Sequence, residues 1–267
     1  MGVECGVAIV PIDQERFHEL DRIVMGLAFE LQNDVGRCFD ERIYQEELSR
    51  RCSQAGLAVQ REVLVRAAHR DFSKEYYLDL LVENSAIYEL KAVEALNTKH
   101  QRQVLNYLHL LNLQHGKLIN FRPASVESRF VSTRLNDEKR RAFSLDESAW
   151  DGSSRSSQIL RDALVGLLGD WGCFLDSNLY REALLHLTAQ HCLGLEAVEI
   201  ASSGNPIGSQ KMCLLTPKQA WHLSAHHEQL ESYEIHMRRL LSHTNLEAIQ
   251  WINLNHQQVV LKTLQRK

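Results

Sequence analysis

The pattern of apolar and polar residues in the first half of the chain predicts a series of helices and strands. Residues 14–35 carry apolar side chains at helical spacing, and Gly36 is a suitable stop. A second helix is predicted over 40–55, where inward-facing residues recur every four positions from Tyr44. The later elements are a strand at 57–68, a hairpin at 76–91, a helix at about 99–112 and a strand at 116–121. This order predicts an α/β sandwich with a mixed sheet.

The predicted hairpin concentrates charge on one face of the sheet. Two apolar runs flank the polar turn 83–85, and a turn centred on Asn84 places Asp79 opposite Glu89. Lys91 shares their face because side chains alternate along a strand. Opposed like charges destabilise a hairpin unless something binds between them, and a divalent cation suits two carboxylates. The pattern predicts that Asp79 and Glu89 hold a metal and that Lys91 orients a water or stabilises a phosphate; the alternative is a solvated hairpin face.

Four other polar side chains lie near predicted core positions. Glu30 lies at the edge of the apolar stripe of the first helix, where a metal-bound water or Lys91 would partner it; the alternative is a surface glutamate. Glu41 is explained equally well by a role in the site and by the favourable interaction of a first-turn carboxylate with the helix dipole. Gln103 and Tyr107 are four residues apart on the third helix and point to one side.

Several short segments accompany the Asp79-x9-Glu89-x-Lys91 pattern in a fixed order. They are Ala28-Phe29-Glu30-Leu31, Gly36 to Tyr44, Gln103-Val104-Leu105-Asn106-Tyr107 and Leu118-Ile119-Asn120-Phe121. In order and spacing these segments resemble the GxxExxY family, a branch of the PD-(D/E)XK nuclease superfamily, over about residues 17–135. Two departures are present: Cys38 replaces a glycine of the naming motif and Gln32 replaces a histidine, whereas the presumed metal ligands are kept.

The resemblance implies both a fold and a chemistry. The fold would be a restriction-endonuclease-like sandwich with a mixed central sheet. The activity would be that of a metal-dependent nuclease, a hydrolase that uses Mg²⁺ or Mn²⁺ to cleave phosphodiester bonds in nucleic acid, with DNA favoured. The metal ligands would be Asp79 and Glu89, and the candidate catalytic set is Asp79, Glu89, Lys91, Glu30, Gln103 and Tyr107.

The second half of the chain repeats the spacing of the first in a degenerate form. Five segments match in the same order: Gly36–Tyr44 with Gly172–Tyr180, 44–48 with 180–184, 88–92 with 221–225, Gln103-x3-Tyr107 with Gln229-x3-Tyr233, and 118–121 with 251–254. The positions of Asp79, Glu89 and Lys91 fall on Met212 or Cys213, His222 and Ser224. Because no opposed carboxylates remain, no hard-cation site is expected in this copy.

This repeat predicts a tandem pair of domains. Residues 1–145 form the domain with the intact site, 146–157 a serine-rich linker and 158–267 a pseudo-nuclease domain. Tandem copies can pack like a homodimer with one inactive half, and that half would hold substrate, complete a groove or dock a partner. A further homodimer, or a partner protein bound to the C-terminal domain, is the expected assembly.

Composition bears on the cellular location and the partners of the protein. The six cysteines form no C-x-x-C pair, which predicts reduced thiols and a cytoplasmic location. Apolar runs are too short for a membrane span, so no membrane partner is expected. The formal net charge of −4 counts modestly against tight non-specific binding of nucleic acid. Two alternatives to the nuclease stay open, namely a non-catalytic binding or scaffold subunit on the same fold, and hydrolysis of another phosphate-containing substrate.

Overall fold

A computed structural model describes residues 2–266 and divides the chain into two compact units. The first unit contains the chain up to Ala68 together with Ser73–Asp137, and the second contains His69–Phe72 together with the chain from Glu138 onward. Each unit combines helices with a mixed six-stranded sheet. The predicted α/β class with a mixed sheet is therefore confirmed for each unit.

The first unit contains three helices and six strands, except that the last residue of β2 and the first residue of β3 belong to the second unit. They are β1 (Val3–Cys5), α1 (Gln14–Val35), α2 (Glu41–Gln54), β2 (Val59–His69), β3 (Phe72–Val82), β4 (Ala86–Lys91), α3 (Thr98–Leu110), β5 (His115–Asn120) and β6 (Glu127–Ser132). The strands lie in the sheet in chain order, and β4 pairs parallel with β5, whereas β3 with β4 and β5 with β6 are antiparallel. The parallel pair requires a crossover, which α3 supplies.

The first helix is capped by Asp13 at its start and by Gly36 at its end. The side chain of Asp13 accepts a hydrogen bond from the backbone N–H of Arg16 at 2.9 Å. Gly36 has φ 80°, in the left-handed region that glycine adopts without penalty, and its N–H donates to the carbonyl of Gln32. The helix predicted over 14–35 is confirmed with these bounds.

Aromatic rings attach α1 and α2 to the sheet. Phe17 stacks on Tyr88 with ring centroids 6.0 Å apart, and Tyr44 stacks on Phe121 at 4.5 Å with the ring planes 4° apart. All four side chains are fully buried. Burying one large apolar side chain stabilises a fold by about 1.5–3 kcal/mol, so these two stacks fix both helices over β4 and β5.

The hairpin of β3 and β4 has the predicted register. Val82 pairs with Ala86 and Leu80 with Tyr88, and continuing by one pair places Asp79 opposite Glu89. The turn uses left-handed backbone at Glu83 (φ 52°) and Asn84 (φ 54°), as in a type I′ hairpin turn. The sequence-predicted turn over 83–85 is therefore confirmed.

The second unit repeats the element order of the first. Its elements are α4 (Asp137–Arg141), β7 (Ser144–Ala149), α5 (Arg155–Trp171), α6 (Ser177–Thr188), β8 (Gly194–Ser202), β9 (Asn205–Thr216), β10 (Gln219–Ser224), α7 (Leu230–Ser242), β11 (Ala248–Asn255) and β12 (Gln258–Gln265). From α5 to β12 the helices and strands follow the order of α1 to β6, and β10 pairs parallel with β11 as β4 does with β5. The two sheets are consistent with a tandem arrangement.

Several side-chain hydrogen bonds of the first unit recur at the matching positions of the second unit. The Tyr44 hydroxyl donates to the Gly36 carbonyl at 2.9 Å, and the Tyr180 hydroxyl donates in the same way to Gly172. Asn120 in β5 bonds both the N–H and the carbonyl of Val93, two residues after β4. Asn253 in β11 bonds the N–H and the carbonyl of His226, two residues after β10, in the same way. Such long-range contacts at matching positions are also consistent with a tandem arrangement.

The stretch predicted as a linker, 146–157, differs from the expectation. Most of it is structured, because β7 pairs parallel with β12 and α5 begins at Arg155. The Ser154 side chain accepts a hydrogen bond from the Ser157 backbone, so this serine caps a helix. Serine and glycine favour helix caps and turns as well as flexible linkers, and composition does not separate these uses. The boundaries 1–145 and 158–267 stay a prediction.

A buried ion pair in the first unit has a neutral counterpart in the second. Lys117 Nζ lies 2.6 Å from Asp21 Oδ2, and at the matching positions Gln250 donates to Ser157 at 2.8 Å. We expect Lys117→Met alone to lower the free energy of unfolding by about 3–5 kcal/mol, because it leaves Asp21 buried without its partner.

The double variant Asp21→Ser/Lys117→Gln, which copies the neutral pair, is expected to recover most of that loss. Urea unfolding of the wild type and the two variants measures both effects. A double variant as unstable as Lys117→Met would contradict the equivalence of the two pairs.

Candidate active site

Asp79 is held from two sides on β3. Its Oδ2 accepts a hydrogen bond from the backbone N–H of Leu90 at 2.7 Å. Its own carbonyl accepts one from Gln45 Nε2 at 3.0 Å, and Gln45 comes from α2. Burial raises the pKa of Asp79 to about 6, more than the Leu90 bond and the charge of Lys91 lower it. The carboxylate is therefore oriented but poorly solvated.

Glu89, at the equivalent depth on β4, is more strongly enclosed. It is 1% exposed, and its Oε1 lies 2.7 Å from Lys91 Nζ. Its Oε2 is buried and has no hydrogen-bond partner among residues 2–266. Burial, followed by the charge of Asp79, raises the pKa of Glu89 to about 8. A buried carboxylate oxygen without a partner is costly unless a ligand completes the site.

Lys91 places its ammonium group among the acidic oxygens. Nζ lies 2.7 Å from Glu89 Oε1, 2.7 Å from the Leu90 carbonyl, 3.3 Å from Glu41 Oε1 and 4.0 Å from Asp79 Oδ2. Burial alone would lower the pKa of Lys91, but the surrounding carboxylates outweigh it and raise the pKa above its ordinary value. The ammonium therefore acts as an internal cation for this group of oxygens.

The glutamate of the helices that contacts Lys91 is Glu41, whereas Glu30 was the predicted accessory residue. Glu41 begins α2 and contacts Lys91. The Glu30 side chain is exposed on α1 and makes no hydrogen bond or ion pair within the described part of the chain. Glu30 therefore does not contact Lys91 in this structure, and its exposure fits the alternative of a surface glutamate, whereas a role through a metal-bound water stays a prediction. Its helical phase places it one residue from buried Leu31 but on the solvent side of the helix.

Gln103 and Tyr107 lie at the margin of the site on α3. Gln103 Nε2 donates to the Tyr107 hydroxyl at 3.1 Å, and that hydroxyl donates to the Tyr77 carbonyl at 3.3 Å. Burial, followed by the charge of Glu89, raises the pKa of Tyr107 to about 12. The predicted pairing of Gln103 with Tyr107 on one side of the helix is present. Within residues 2–266, neither side chain hydrogen-bonds Asp79, Glu89 or Lys91 directly.

The structure adds two residues that sequence reasoning missed. Gln45 bonds Asp79, and it also donates to Glu62 Oε1 at 2.7 Å. Gln45 follows Tyr44 on the inward face of α2, which is the one signal that could have found it. Glu62 carries no such signal, because the regular alternation of β2 is interrupted there.

Residues 18–131 match the family model of the PD-(D/E)XK nuclease superfamily. The matched stretch runs from α1 to β6 and includes every residue of the site just described. No curated protein and no solved structure matches the chain. In the described residues, no helix is both long and apolar enough to cross a membrane. The superfamily match supports a nuclease-like domain in the first unit.

The matching positions of the second unit lack carboxylates. His222 and Ser224 occupy the places of Glu89 and Lys91, since His222 pairs with Trp251 as Glu89 pairs with Leu118. His222 Nε2 lies 2.6 Å from the Tyr233 hydroxyl, and Ser224 donates to Asn253. These contacts satisfy the polar groups without a ligand.

The oxygen donors of the first unit fit a hard cation. Superfamily members generally use divalent metals, which take carboxylate, carbonyl and water oxygens. Asp79, Glu89 and the Leu90 carbonyl offer such oxygens, Glu89 Oε2 has no partner among residues 2–266, and a lysine ammonium already lies between them. No group of three or more histidine, cysteine, aspartate or glutamate side chains in the described chain is arranged to hold a metal. Any metal would therefore also need carbonyl or water ligands.

The raised carboxyl pKa values predict how the stability of the metal-free protein depends on pH. A carboxyl whose pKa is raised in the folded state keeps its proton at pH values where the unfolded chain releases it. Its contribution to stability is therefore complete below the ordinary carboxyl pKa and is lost as pH rises to the folded-state pKa. For Asp79 the loss lies between its ordinary pKa and about 6, and for Glu89 it extends to about 8. In EDTA we expect the free energy of unfolding to fall by a few kcal/mol from pH 5 to 8.5.

Urea unfolding at the two pH values measures this loss. The double variant Asp79→Asn/Glu89→Gln provides the reference, because it lacks both titrating groups and keeps the rest of the chain. A wild type and a double variant with equal pH dependence would show that these carboxyls do not titrate as proposed.

Proposed function

We propose that the first unit is a metal-dependent nuclease that hydrolyses phosphodiester bonds in nucleic acid, with DNA as the favoured substrate. The observation that carries the proposal is the buried group of Asp79, Glu89 and Lys91, in which one Glu89 oxygen lacks a partner among residues 2–266. The superfamily match over 18–131 supports the same reading. Perturbed carboxyl pKa values on adjacent strands are typical of a functional site.

In this proposal Asp79 and Glu89 hold Mg²⁺ or Mn²⁺. The bound metal supplies a water of lowered pKa and neutralises charge on the phosphate. Leu90 N–H and Gln45 keep Asp79 oriented. Lys91 must leave the oxygens that it now contacts, and its ammonium then stabilises charge on the phosphate or orients the attacking water. Gln103 is placed beside the site by Tyr107 and assists in orientation.

We assign no catalysis to the second unit and propose that it is a pseudo-nuclease domain. His222, Ser224 and Met212 supply no pair of carboxylates at the matching positions. The unit would hold nucleic acid, or dock a partner protein or a second copy of the chain. All six cysteines are free thiols, which supports the proposed cytoplasmic location.

The test is cleavage of plasmid, linear duplex and single-stranded DNA and of RNA, with Mg²⁺, Mn²⁺ or EDTA. The wild type is expected to cleave at least one substrate with metal and none in EDTA. The variant Glu89→Ala/Lys91→Ala is expected to be inactive. Its matched control is His222→Ala/Ser224→Ala, which changes the equivalent positions of the second unit and should stay active. Absence of both cleavage and metal binding would favour the scaffold role instead.

A further inference from the structure

Glu62 has an unusual backbone conformation for a strand residue. Its φ is 49°, in the left-handed region, although it lies inside β2 and is not glycine. Arg61 and Glu62 are both exposed, and buried residues then alternate regularly from Val63. A left-handed backbone that interrupts the alternation of a strand re-aims the side chain, as it does in a β-bulge. Such a conformation costs about 1–3 kcal/mol in an ordinary residue.

From this position the Glu62 carboxylate reaches α2. Glu62 Oε1 accepts a hydrogen bond of 2.7 Å from Gln45 Nε2. The same nitrogen lies 3.0 Å from the Asp79 carbonyl oxygen and 3.5 Å from Asp79 Oδ1. Gln45 is 5% exposed, so little water competes for its amide. The charged bond to Glu62 is stronger than a neutral one and dominates the orientation of the amide.

The chemistry of the partners determines which way the amide points. Both neighbours of Gln45 are acceptors here, a carbonyl and a carboxylate, so Nε2 and not Oε1 must face them. Without Glu62, one of the two acceptors that hold the amide in this orientation is lost. A rotated amide would turn its oxygen toward the Asp79 carbonyl and repel it.

From these contacts we propose that Glu62 is a positioning residue that acts through Gln45 to fix Asp79. The inference rests on the proposed nuclease function only for its catalytic consequence. Asp79 would then be held at its side chain by the Leu90 N–H and at its backbone by the Gln45 amide. A purely stabilising role for Glu62 does not explain the arrangement, because the left-handed backbone at Glu62 is itself costly.

The first measurement is amide hydrogen exchange of Leu90 in the metal-free protein, since this N–H donates to the Asp79 carboxylate. In Glu62→Ala the exchange of Leu90 is expected to be about tenfold faster, equivalent to ~1.4 kcal/mol. Glu62→Gln keeps an acceptor oxygen and is expected to restore at least half of the protection. The matched control is Glu46→Ala, which removes an exposed carboxylate from α2.

Gln45→Ala and the double variant Gln45→Ala/Glu62→Ala test the route. If Glu62 acts through Gln45, the double variant exchanges at Leu90 no faster than Gln45→Ala alone. Additive effects would overturn the proposal, as would unchanged Leu90 exchange in Glu62→Ala. Both outcomes are read without metal or substrate, so they are separate from any failure of the nuclease function.

Two further readouts extend the test to the active protein. Calorimetry with Mn²⁺ and cleavage rates are expected to show about tenfold weaker metal binding and a lower kcat in Glu62→Ala, with KM and melting temperature nearly unchanged. Equal losses in Glu46→Ala would contradict a specific role for Glu62. If the wild type cleaves nothing while Leu90 exchange responds as expected, the positioning holds and the nuclease function fails.

Discussion

Replacing Glu89 by glutamine is expected to lower metal-dependent cleavage by at least about a thousand-fold while the fold is kept. The amide has nearly the volume of the carboxylate, so the packing around this 1% exposed side chain is preserved. It removes the negative charge that a cation needs and the Oε2 atom that has no partner in residues 2–266. Cleavage under saturating Mg²⁺ and the melting temperature in EDTA measure the two effects separately.

Glu30→Gln is the matched control for this result. It makes the same chemical change at an exposed glutamate whose side chain has no hydrogen bond or ion pair in the described chain. We expect near wild-type cleavage from it, and an intermediate loss from Glu41→Gln, because Glu41 contacts only Lys91 in the site. If Glu89→Gln cleaves like the wild type, Asp79 and Glu89 are not a metal pair. If Glu30→Gln is inactive, Glu30 takes part in catalysis, as the family resemblance implies.

The hairpin was predictable because its determinants are local. A polar turn between two apolar runs sets the register, and register alone places Asp79 opposite Glu89. The helices α1 and α2 were predictable for a similar reason, since each carries a clear apolar stripe and α1 ends at glycine. Local patterns therefore gave the elements and the central pair of the site.

The surroundings of the pair were less predictable because they depend on tertiary geometry. Whether Glu30 or Glu41 reaches Lys91 depends on the rotation of two helices about their axes, which the stacks of Phe17 and Tyr44 fix. Neighbouring positions on a helix differ by about 100°, so a carboxylate one step from a buried residue can face solvent.

The contact of Glu62 was hidden for another reason. The irregular backbone at Glu62 interrupts the period of two from which burial is inferred, so the sequence gives no sign that Glu62 turns toward Gln45. Strand β7 was hidden as well. Its short Ser144–Ala149 segment is mostly exposed, and it becomes a strand by pairing with β12 far along the chain.

Replacing Lys91 by methionine is expected to move metal binding and cleavage in opposite directions. In the metal-free protein the ammonium lies 2.7 Å from both Glu89 Oε1 and the Leu90 carbonyl, where it competes with a cation for the same oxygens. Methionine fills similar space without charge. The Kd for Mn²⁺ is therefore expected to fall by about tenfold, ~1.4 kcal/mol, whereas cleavage falls by about a hundred-fold or more.

Titration calorimetry and single-turnover cleavage with saturating metal measure the two effects, and Lys99→Met, at an exposed lysine, serves as the control. The opposite signs make the result decisive. A lysine that only helped to hold the metal would lose affinity and cleavage together when removed. A lysine without a catalytic role would release the carboxylates and gain affinity with no loss of rate. Tighter binding with slower cleavage is expected only if the same ammonium neutralises the carboxylates before metal enters and then acts on the phosphate or its attacking water.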